Sequence, residues 1–402
     1  MLVSPSRRAA FDVLRRVAGG AFAADLLRAD RTLSKPDAAL AEELVLGVLR
    51  RQGQLDAWIS RLTGGKLDAE VRLCLRLGLY QIGHLDRVPA RAAVFESVEL
   101  AKRARKGSAA GLVNAVLRKA AAGGAPSLEE PELAVPAWLL DRWRLRYGPQ
   151  ADRLALATLE TPSTYLRLDP RWDPEQTCQL LAEEGVATEP TELERCARVR
   201  FVHPGETRCL AEGRCRIQDL GSQRIAPLLE LRREHRFLDL CAAPGGKTLQ
   251  ALEANPGLAV ACDWPGRVRD LRRRAPPGLH LVGLDATRQL PFAIQFDRIL
   301  ADVPCSGTGT LARNPEIKWK LEPADLADLA DRQRAILGAA LDRLAPGGRL
   351  VYSTCSLEPE ENEEVVRASV RPPFECVKEH LWLPTGEAGD GFYAAVVERR
   401  VR

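Results

Sequence analysis

LDLCAAPGGKT, residues 238–248, passes from an apolar run through a glycine turn into a helical segment, and its reading decides the fold of the C-terminal half. Phe237, Leu238 and Leu240 have the character of a buried parallel strand. Gly245 and Gly246 permit a tight turn in which backbone approaches a ligand closely, and Lys247 and Thr248 open a helix. Strand, turn and helix N-terminus together form a nucleotide-type site, because unpaired N–H groups and the helix dipole converge there. Two ligand chemistries compete for it. A phosphate-binding P-loop, G-x-x-x-x-G-K-T, requires glycine where Cys241 stands and an N–H where Pro244 has none. Ile299, Leu300 and Ala301 running into Asp302 nevertheless imitate the acidic strand of a P-loop ATPase. A plain strand-to-helix turn is the third reading of this segment taken alone.

Downstream, apolar runs repeatedly end in an acid. Leu258–Cys262 ends at Asp263, His280–Leu284 at Asp285, and Asp297–Ala301 at Asp302. Asp263 lies 24 residues beyond Asp239, where a ribose-binding carboxylate belongs in a dinucleotide-type half-fold. An open parallel sheet delivers ligand-facing groups at its carboxyl ends, so these three acids are expected to line one crevice. One such Asp is more often a cap or turn residue; a series of them at strand ends is harder to assign to turns.

Three segments carry a specific resemblance. LDLCAAPGGKT, ADVPCSGTGTLARNPEIKW (301–319) and VYSTCSLEPEENEEVV (351–366) are similar, in that order, to signature segments of the RNA cytosine-C5 methyltransferases of the NOL/NOP/Sun group. The resemblance implies a Rossmann-like, seven-stranded α/β domain that binds S-adenosyl-L-methionine. The loop Cys241, Ala242, Ala243, Pro244, Gly245, Gly246 and Lys247 would hold its methionine end. Asp263 would take the ribose hydroxyls, Asp285 would lie near the adenine, and Asp302 would be a further cofactor contact.

The whole chain fits a larger assembly of domains. Its 402 residues, 46% apolar and 28% charged, predict a globular protein of two or three domains. No run approaches the roughly 20 apolar residues of a membrane span, and the N-terminus lacks a signal-peptide core, so a cytoplasmic protein is expected. Ten cysteines without a CxxC pair and five scattered histidines favour neither a metal site nor a disulfide framework.

Net charge is +4, but residues 1–124 hold 21 Lys and Arg against 12 Asp and Glu. A basic block of this kind suits RNA, although a solvated helical face has the same composition. The block reads as helical over Arg7–Val17, Asp37–Arg50, Glu96–Arg103 and Leu112–Lys119, with the basic connection KRARKGS at 102–108. Residues 71–82 fit a helix, though Val71, Leu73, Leu75, Leu77 and Leu79 also alternate like a strand. LGLYQI (77–82), VFESVELAK (94–102) and GLVNAVLRK (111–119) resemble the NusB-like RNA-binding domain. The paired resemblances imply a monomer acting on RNA, with 16S ribosomal RNA or the small ribosomal subunit as the first choice and a tRNA or 23S ribosomal RNA as the alternative.

Prolines 126, 131 and 136 mark a linker. Beyond it a small α+β subdomain is expected, with a helix over Trp138–Tyr147, a strand at 165–168, a helix over Pro174–Glu184 and a strand over Val199–Val202. IQDLGSQ (217–223) resembles the family's entry to the catalytic domain, while the Asn that usually follows the first strand's Arg is Asp169 here. The domain reading is therefore 1–125 NusB-like, 126–216 linker and α+β subdomain, and 217–402 methyltransferase. Within the last, a helix is expected over Ala324–Leu344, a fifth strand over Arg349–Thr354, and a closing antiparallel pair over Phe374–Leu383 and Gly391–Arg400. Pro265 stands where the family usually starts a regular helix.

The chemistry asks for particular residues. Carbon 5 of cytosine is a poor nucleophile until a thiolate adds to C6, and cysteine supplies that thiolate near neutral pH. N3 then needs a proton or a strong hydrogen bond, for which Asp302 is the candidate. Cys305 and Cys355 follow adjacent strands, and spacing does not choose between them as nucleophile. The family resemblance does: it implies that the Thr-Cys cysteine, Cys355, attacks, and that the Pro-Cys cysteine, Cys305, helps to release the product.

Overall fold

The computed structural model describes residues 3–29, 32–200, 204–205, 207–386 and 389–401. The chain forms two compact units, Met1–Thr161 with Leu311–Leu321, and Pro162–Thr310 with Glu322–Arg402.

The first unit is helical. Helices Pro5–Ala18, Lys35–Arg50, Ala69–His84, Ala90–Arg103 and Ala110–Gly123 cover the segments expected from periodicity. Ser34 and Asp68 cap two of them by accepting from Asp37 N and Glu70 N. The ambiguous alternation at 71–79 has a simple cause: Val71, Leu73, Cys74, Leu75, Leu77 and Leu79 are all buried, so the helix is apolar on nearly every side. Each such side chain contributes roughly 1.5–3 kcal/mol on burial.

Residues 311–321, which belong to one of the signature segments, pack within this helical unit. Lys318, with 0% exposure, donates to Arg50 O (2.9 Å), Ala134 O (2.7 Å) and Thr158 Oγ1 (3.1 Å). Trp319 Nε1 donates to Leu49 O (2.7 Å), and Glu316 accepts from Ala23 N (2.9 Å).

The second unit holds two sheets. Strands β1 (Thr164–Leu168), β2 (Thr188–Pro190), β3 (Cys196–Val199) and β4 (Cys215–Ile217), with helices Pro174–Glu183 and Arg208–Ala211, run β-α-β-β-α-β. Their order, β2-β3-β1-β4, is ferredoxin-like. The strand expected at 199–202 instead lies at 196–199 and pairs antiparallel with β1, while Phe201 and Val202 fall outside the described residues. Asp169 turns its carboxylate onto Arg171 (2.8 Å). Arg167 and Arg216 both reach Glu253 (2.5 and 2.6 Å), which ties this sheet to the turn following the glycine-loop helix.

The larger sheet comprises β5 (Arg236–Asp239), β6 (Leu258–Asp263), β7 (Leu279–Gly283), β8 (Phe296–Asp302), β9 (Leu344–Thr354), β10 (Phe374–Trp382) and β11 (Phe392–Arg399). Its order is β10-β11-β9-β8-β5-β6-β7. Strands β9, β8, β5, β6 and β7 are parallel, and β11 pairs antiparallel with β9 and β10. Phe237, Ala259, Leu300 and Val351 pack on one face; Leu238, Val260, Ile299 and Leu350 pack on the other with Ile336, Leu337 and Ala340 of helix Pro323–Leu341. Burial on both faces accounts for unbroken apolar strands.

Three boundaries differ from expectation. The long helix ends at Leu341, not Leu344, and β9 begins at Leu344 because that residue already pairs with Phe296 across an irregularity in the register. β7 spans 279–283, its partners on β6 running from Ala259 to Asp263. Pro265 is the first residue of helix Pro265–Arg272, a position where proline's missing N–H costs nothing.

Candidate active site

The chain leaves β5 for β6 and β7 on one side, then returns to β8 and β9 on the other. A crevice therefore opens beyond the carboxyl ends of β5 and β8, the usual ligand site of such sheets.

The glycine loop forms one wall. Ala242 N donates to Cys262 O (2.9 Å) and Ala243 N to Asp263 Oδ2 (2.8 Å). Ala243–Pro244 is cis, and Gly245 has φ of 107°, a left-handed conformation that a side chain would strain. A Cβ on Gly245 would also lie 3.1 Å from Leu271 Cδ1. Helix Gly246–Ala251 follows. Burial, with the nearby carboxylates, pushes the Cys241 thiol well above its usual range.

The acids are distinct in setting. Asp239 is buried and accepts from Thr248 Oγ1 (2.7 Å); burial raises its pKa to about 7 against that hydrogen bond. Asp263, also buried, accepts from Ala243 N and Trp264 N at 2.8 Å each, which uses two of the roughly four lone-pair positions of a carboxylate. Asp285 lies at the sheet's edge, where Thr287 N, Thr287 Oγ1 and Arg288 Nε donate to it, and the Thr287 hydrogen bonds hold its pKa low. Asp302 accepts from Ser353 Oγ (2.8 Å) and Lys247 Nζ (2.7 Å). Lys247 also sits 4.7 Å from the Phe392 ring centroid. Burial disfavours its charge, but Asp302 and Cys355 outweigh that and raise its pKa.

Parallel pairing sets Asp302 beside Ser353. The loops leaving β8 and β9 therefore start level, and Cys305 Sγ and Cys355 Sγ lie 3.3 Å apart. Cys305 Sγ also accepts from Cys355 N at 3.3 Å. Its thiol pKa is raised, first by the hydrogen bond with Cys355, then by burial and the charges of Cys355 and Glu361. Gly309 threads past the same place: a Cβ there would stand 2.3 Å from Gly391 O and 2.9 Å from Cys355 O. All ten cysteines are free thiols.

The structure thus gathers Asp302, Lys247, Cys305 and Cys355 at the ends of β8 and β9, with Asp263 and the glycine loop beside β5. Asp285 stands apart at β7. The sequence reading missed Ser353, which orients Asp302, and Ser306, Ser356 and Glu361 behind the cysteines. The parallel triplets Pro-Cys-Ser and Thr-Cys-Ser were the available signal for the two serines. Among the acids of 358–364, residue type offers no signal for Glu361.

A seven-stranded sheet of this order, with a glycine turn after its first strand and acids ending the next strands, defines a Rossmann-like methyltransferase. The residues fit S-adenosyl-L-methionine: Asp263 beside the glycine loop would repel a triphosphate, and Lys247, already committed to Asp302, offers it no free cation, whereas neither disfavours a cationic sulfonium with its ammonium group. Family models match in three places: 16S rRNA methyltransferase RsmB/F at residues 226–397, the NusB family at 4–122, and a ferredoxin-like domain of RsmF/B-like methyltransferases at 135–199. Ribosomal RNA small subunit methyltransferase B of Proteus mirabilis is 35% identical over 393 residues, covering 92% of each chain. The protein of that description from Vibrio cholerae is 35% identical over 403 residues, again 92% of each. The crystal structure of PH0851 superposes with a TM-score of 0.82 at 21% identity, over 99% of this chain and 100% of that one. NSun6 from Pyrococcus horikoshii, solved with SFG, gives 0.61 at 20% identity over 66% of this chain and 99% of that one. The chain belongs to the 16S rRNA methyltransferase RsmB/F family. It is an RNA methyltransferase, and its cofactor is S-adenosyl-L-methionine.

Proposed function

We propose that the protein methylates carbon 5 of a cytosine in 16S ribosomal RNA, as a monomer in the cytoplasm, through a covalent bond between Cys355 and C6. The supporting observation is the cysteine pair, 3.3 Å apart beside the Lys247–Asp302 ion pair. The Proteus and Vibrio relatives are described as small subunit methyltransferases, which supports the choice of RNA. Among the described residues no helix is long and apolar enough to cross a membrane.

Cys241–Lys247, Asp263, Asp285 and Asp302 are the proposed cofactor contacts. When bound, the cofactor supplies an electrophilic methyl group. The protein's task is to make C5 attack it. The Cys355 thiolate adds to C6, electron density moves to C5, and N3 takes up a proton. Asp302 already accepts from Ser353 and Lys247, so the proton donor is the Lys247–Asp302 pair rather than a lone carboxylic acid. Lys247 is also the cation that an attacking thiolate needs nearby. After methylation N3 returns its proton to the Lys247–Asp302 pair, C5 gives its proton to solvent water, the C5–C6 double bond re-forms, and Cys355 leaves as a thiolate. The Cys305 S–H, kept protonated by its surroundings, is placed to donate to that departing sulfur. A target cytosine has to be unstacked to reach the crevice.

Denaturing electrophoresis with labelled RNA tests the assignment. Cys355→Ala should transfer no methyl group and form no covalent species, whereas Cys305→Ala should methylate once and stay attached to its product. The opposite pattern would make Cys305 the nucleophile. Mapping 5-methylcytosine along 16S ribosomal RNA tests the substrate.

A further inference from the structure

Behind the cysteines lies a carboxylate with 0% exposure, Glu361. Four neutral donors converge on it. Ser306 N (2.8 Å) and Gln333 Nε2 (2.9 Å) donate to Oε1, and the hydroxyls of Ser306 and Ser356 (2.5 Å each) donate to Oε2. Four such bonds match the acceptor capacity of an ionised carboxylate. Proton directions agree: Ser356 Oγ accepts from Glu358 N (3.0 Å) and lies 3.3 Å from Thr308 Oγ1, which accepts from Leu357 N (2.8 Å). The two serine oxygens also lie 3.1 Å apart, but each is nearer to Glu361, at 2.5 Å, and the serine protons go to the carboxylate.

Ser306 directly follows Cys305, and Ser356 directly follows Cys355. One carboxylate thus holds the neighbour of each sulfur, and Gln333 extends the hold to Pro304 O (2.9 Å) from the long helix. Glu361 is itself fixed to β9, since Tyr352 OH donates to its carbonyl (2.6 Å). Next to it, Asn362 binds Thr354 Oγ1 (2.5 Å) and Ser356 O (2.9 Å). Folding alone does not require a buried anion here, because apolar packing avoids its desolvation cost.

We propose that Glu361 is a positioning residue for methyl transfer, a buried clamp that joins the Pro304–Ser306 loop to the Cys355–Ser356 loop and holds the two sulfurs in apposition. This rests on the reading of Cys355 and Cys305 as the reacting pair. Glu361 makes no hydrogen bond to either sulfur: its hold on their positions runs through the serines, while its charge adds to what raises the Cys305 thiol. Removing the clamp lets the sulfurs drift, and a displacement of about 1 Å costs on the order of 100-fold in rate.

Glu361→Ala and Glu361→Gln test this in the full-length protein. The amide can keep its oxygen toward Ser306 N and Gln333 and present its NH₂ to the serine hydroxyls, which reverse their protons. Glu361→Gln is therefore the conservative rescue. Expected for Glu361→Ala is a kcat lowered about 100-fold with KM for RNA within about twofold, and for Glu361→Gln a kcat within about tenfold of the parent. The second readout is a glutathione redox buffer, independent of activity. In it the two cysteine thiols pass two electrons and two protons to glutathione disulfide, giving a Cys305–Cys355 disulfide and two reduced glutathiones. The buffer ratio at half oxidation reports the effective concentration of one thiol at the other, which should fall at least about tenfold in Glu361→Ala and less in Glu361→Gln.

An unchanged kcat, an unchanged redox midpoint, or a parent pair that the buffer does not oxidise overturns the proposal. So does a loss confined to KM. Should Glu361→Ala melt below the assay temperature, Glu361→Gln decides by the same two measurements, with parental values in both counting against the clamp. A shifted redox midpoint together with adduct formation by Cys355→Ala would refute the catalytic assignment while leaving the clamp intact.

Discussion

Asp263 holds the loop that is proposed to take the cofactor. Its oxygens accept from Ala243 N and Trp264 N, so it fastens the glycine loop to the end of β6 and retains lone pairs facing the crevice. Asp263→Ala should weaken S-adenosyl-L-methionine binding by roughly 1.5–3 kcal/mol, the range for hydrogen bonds to a charged group, with any loss beyond it measuring the loosened loop. Isothermal calorimetry on folded variant protein measures it, and unchanged affinity would move the ribose contact elsewhere. Asp302 divides its two oxygens between Ser353 and Lys247.

At the scale of elements, the strands and the loops beyond them have separate tasks. β8 and β9 are long, buried and paired level at Asp302 and Ser353, so their ends are rigid starting points for the two cysteine loops. Beyond Thr310 the same signature segment belongs to the helical unit, where Lys318 is its anchor. Burial pushes the Lys318 ammonium down to about 7; its three acceptors match the three N–H groups of the charged form, and above that pH the amine serves two of them. Since the folded pKa lies below the unfolded one, the unfolded chain binds more protons between about pH 7 and 10.5, and folding gains stability as pH rises through that window. Lys318→Met leaves three acceptors without a donor. At pH 9 it should be less stable than the parent by roughly 1–3 kcal/mol, a gap that narrows toward pH 7. Urea unfolding at a series of pH values checks both the sign and the window.

At the scale of the molecule, the basic surplus of residues 1–124 belongs to the helical unit, and part of it is already neutralised. Lys106 pairs with Asp68 (2.6 Å) and lies 3.8 Å from Glu70, and Lys102 pairs with Glu99 (2.6 Å), whereas Arg103 and Arg105 are exposed on the same connection. If this connection binds phosphates, replacing Arg103 and Arg105 by Gln should lower RNA affinity. It should also reduce the slope of log K against log salt by about 0.7–0.9 for each phosphate that is no longer neutralised. Filter binding at several salt concentrations measures this, and an identical slope would mark the arginines as merely solvated. Deleting residues 1–124 outright is a poorer test, because it removes the backbone acceptors of Lys318 and Trp319.

Much of the candidate site was legible because the proposed chemistry constrains residue type at fixed chain spacing. A cofactor loop needs Gly245 in a left-handed turn, a parallel strand places its acid at the carboxyl end, and a C6 nucleophile has to be a cysteine; each requirement leaves its mark in consecutive residues. The helical unit was legible from periodicity, since solvent lies on one side of most of its helices. Periodicity failed at residues 71–79, where burial on nearly every side erases the pattern that distinguishes helix from strand. Tertiary structure alone selected Glu361 from an acidic run, because which carboxylate turns inward depends on how β8, β9 and the helix carrying Gln333 meet. It alone divided one signature segment between two compact units, with Cys305 in one and Lys318 in the other. Local sequence specifies the chemistry a residue can perform and the conformation of its neighbours; the partners of a buried charge come from elements far away in the chain, and only packing brings them together.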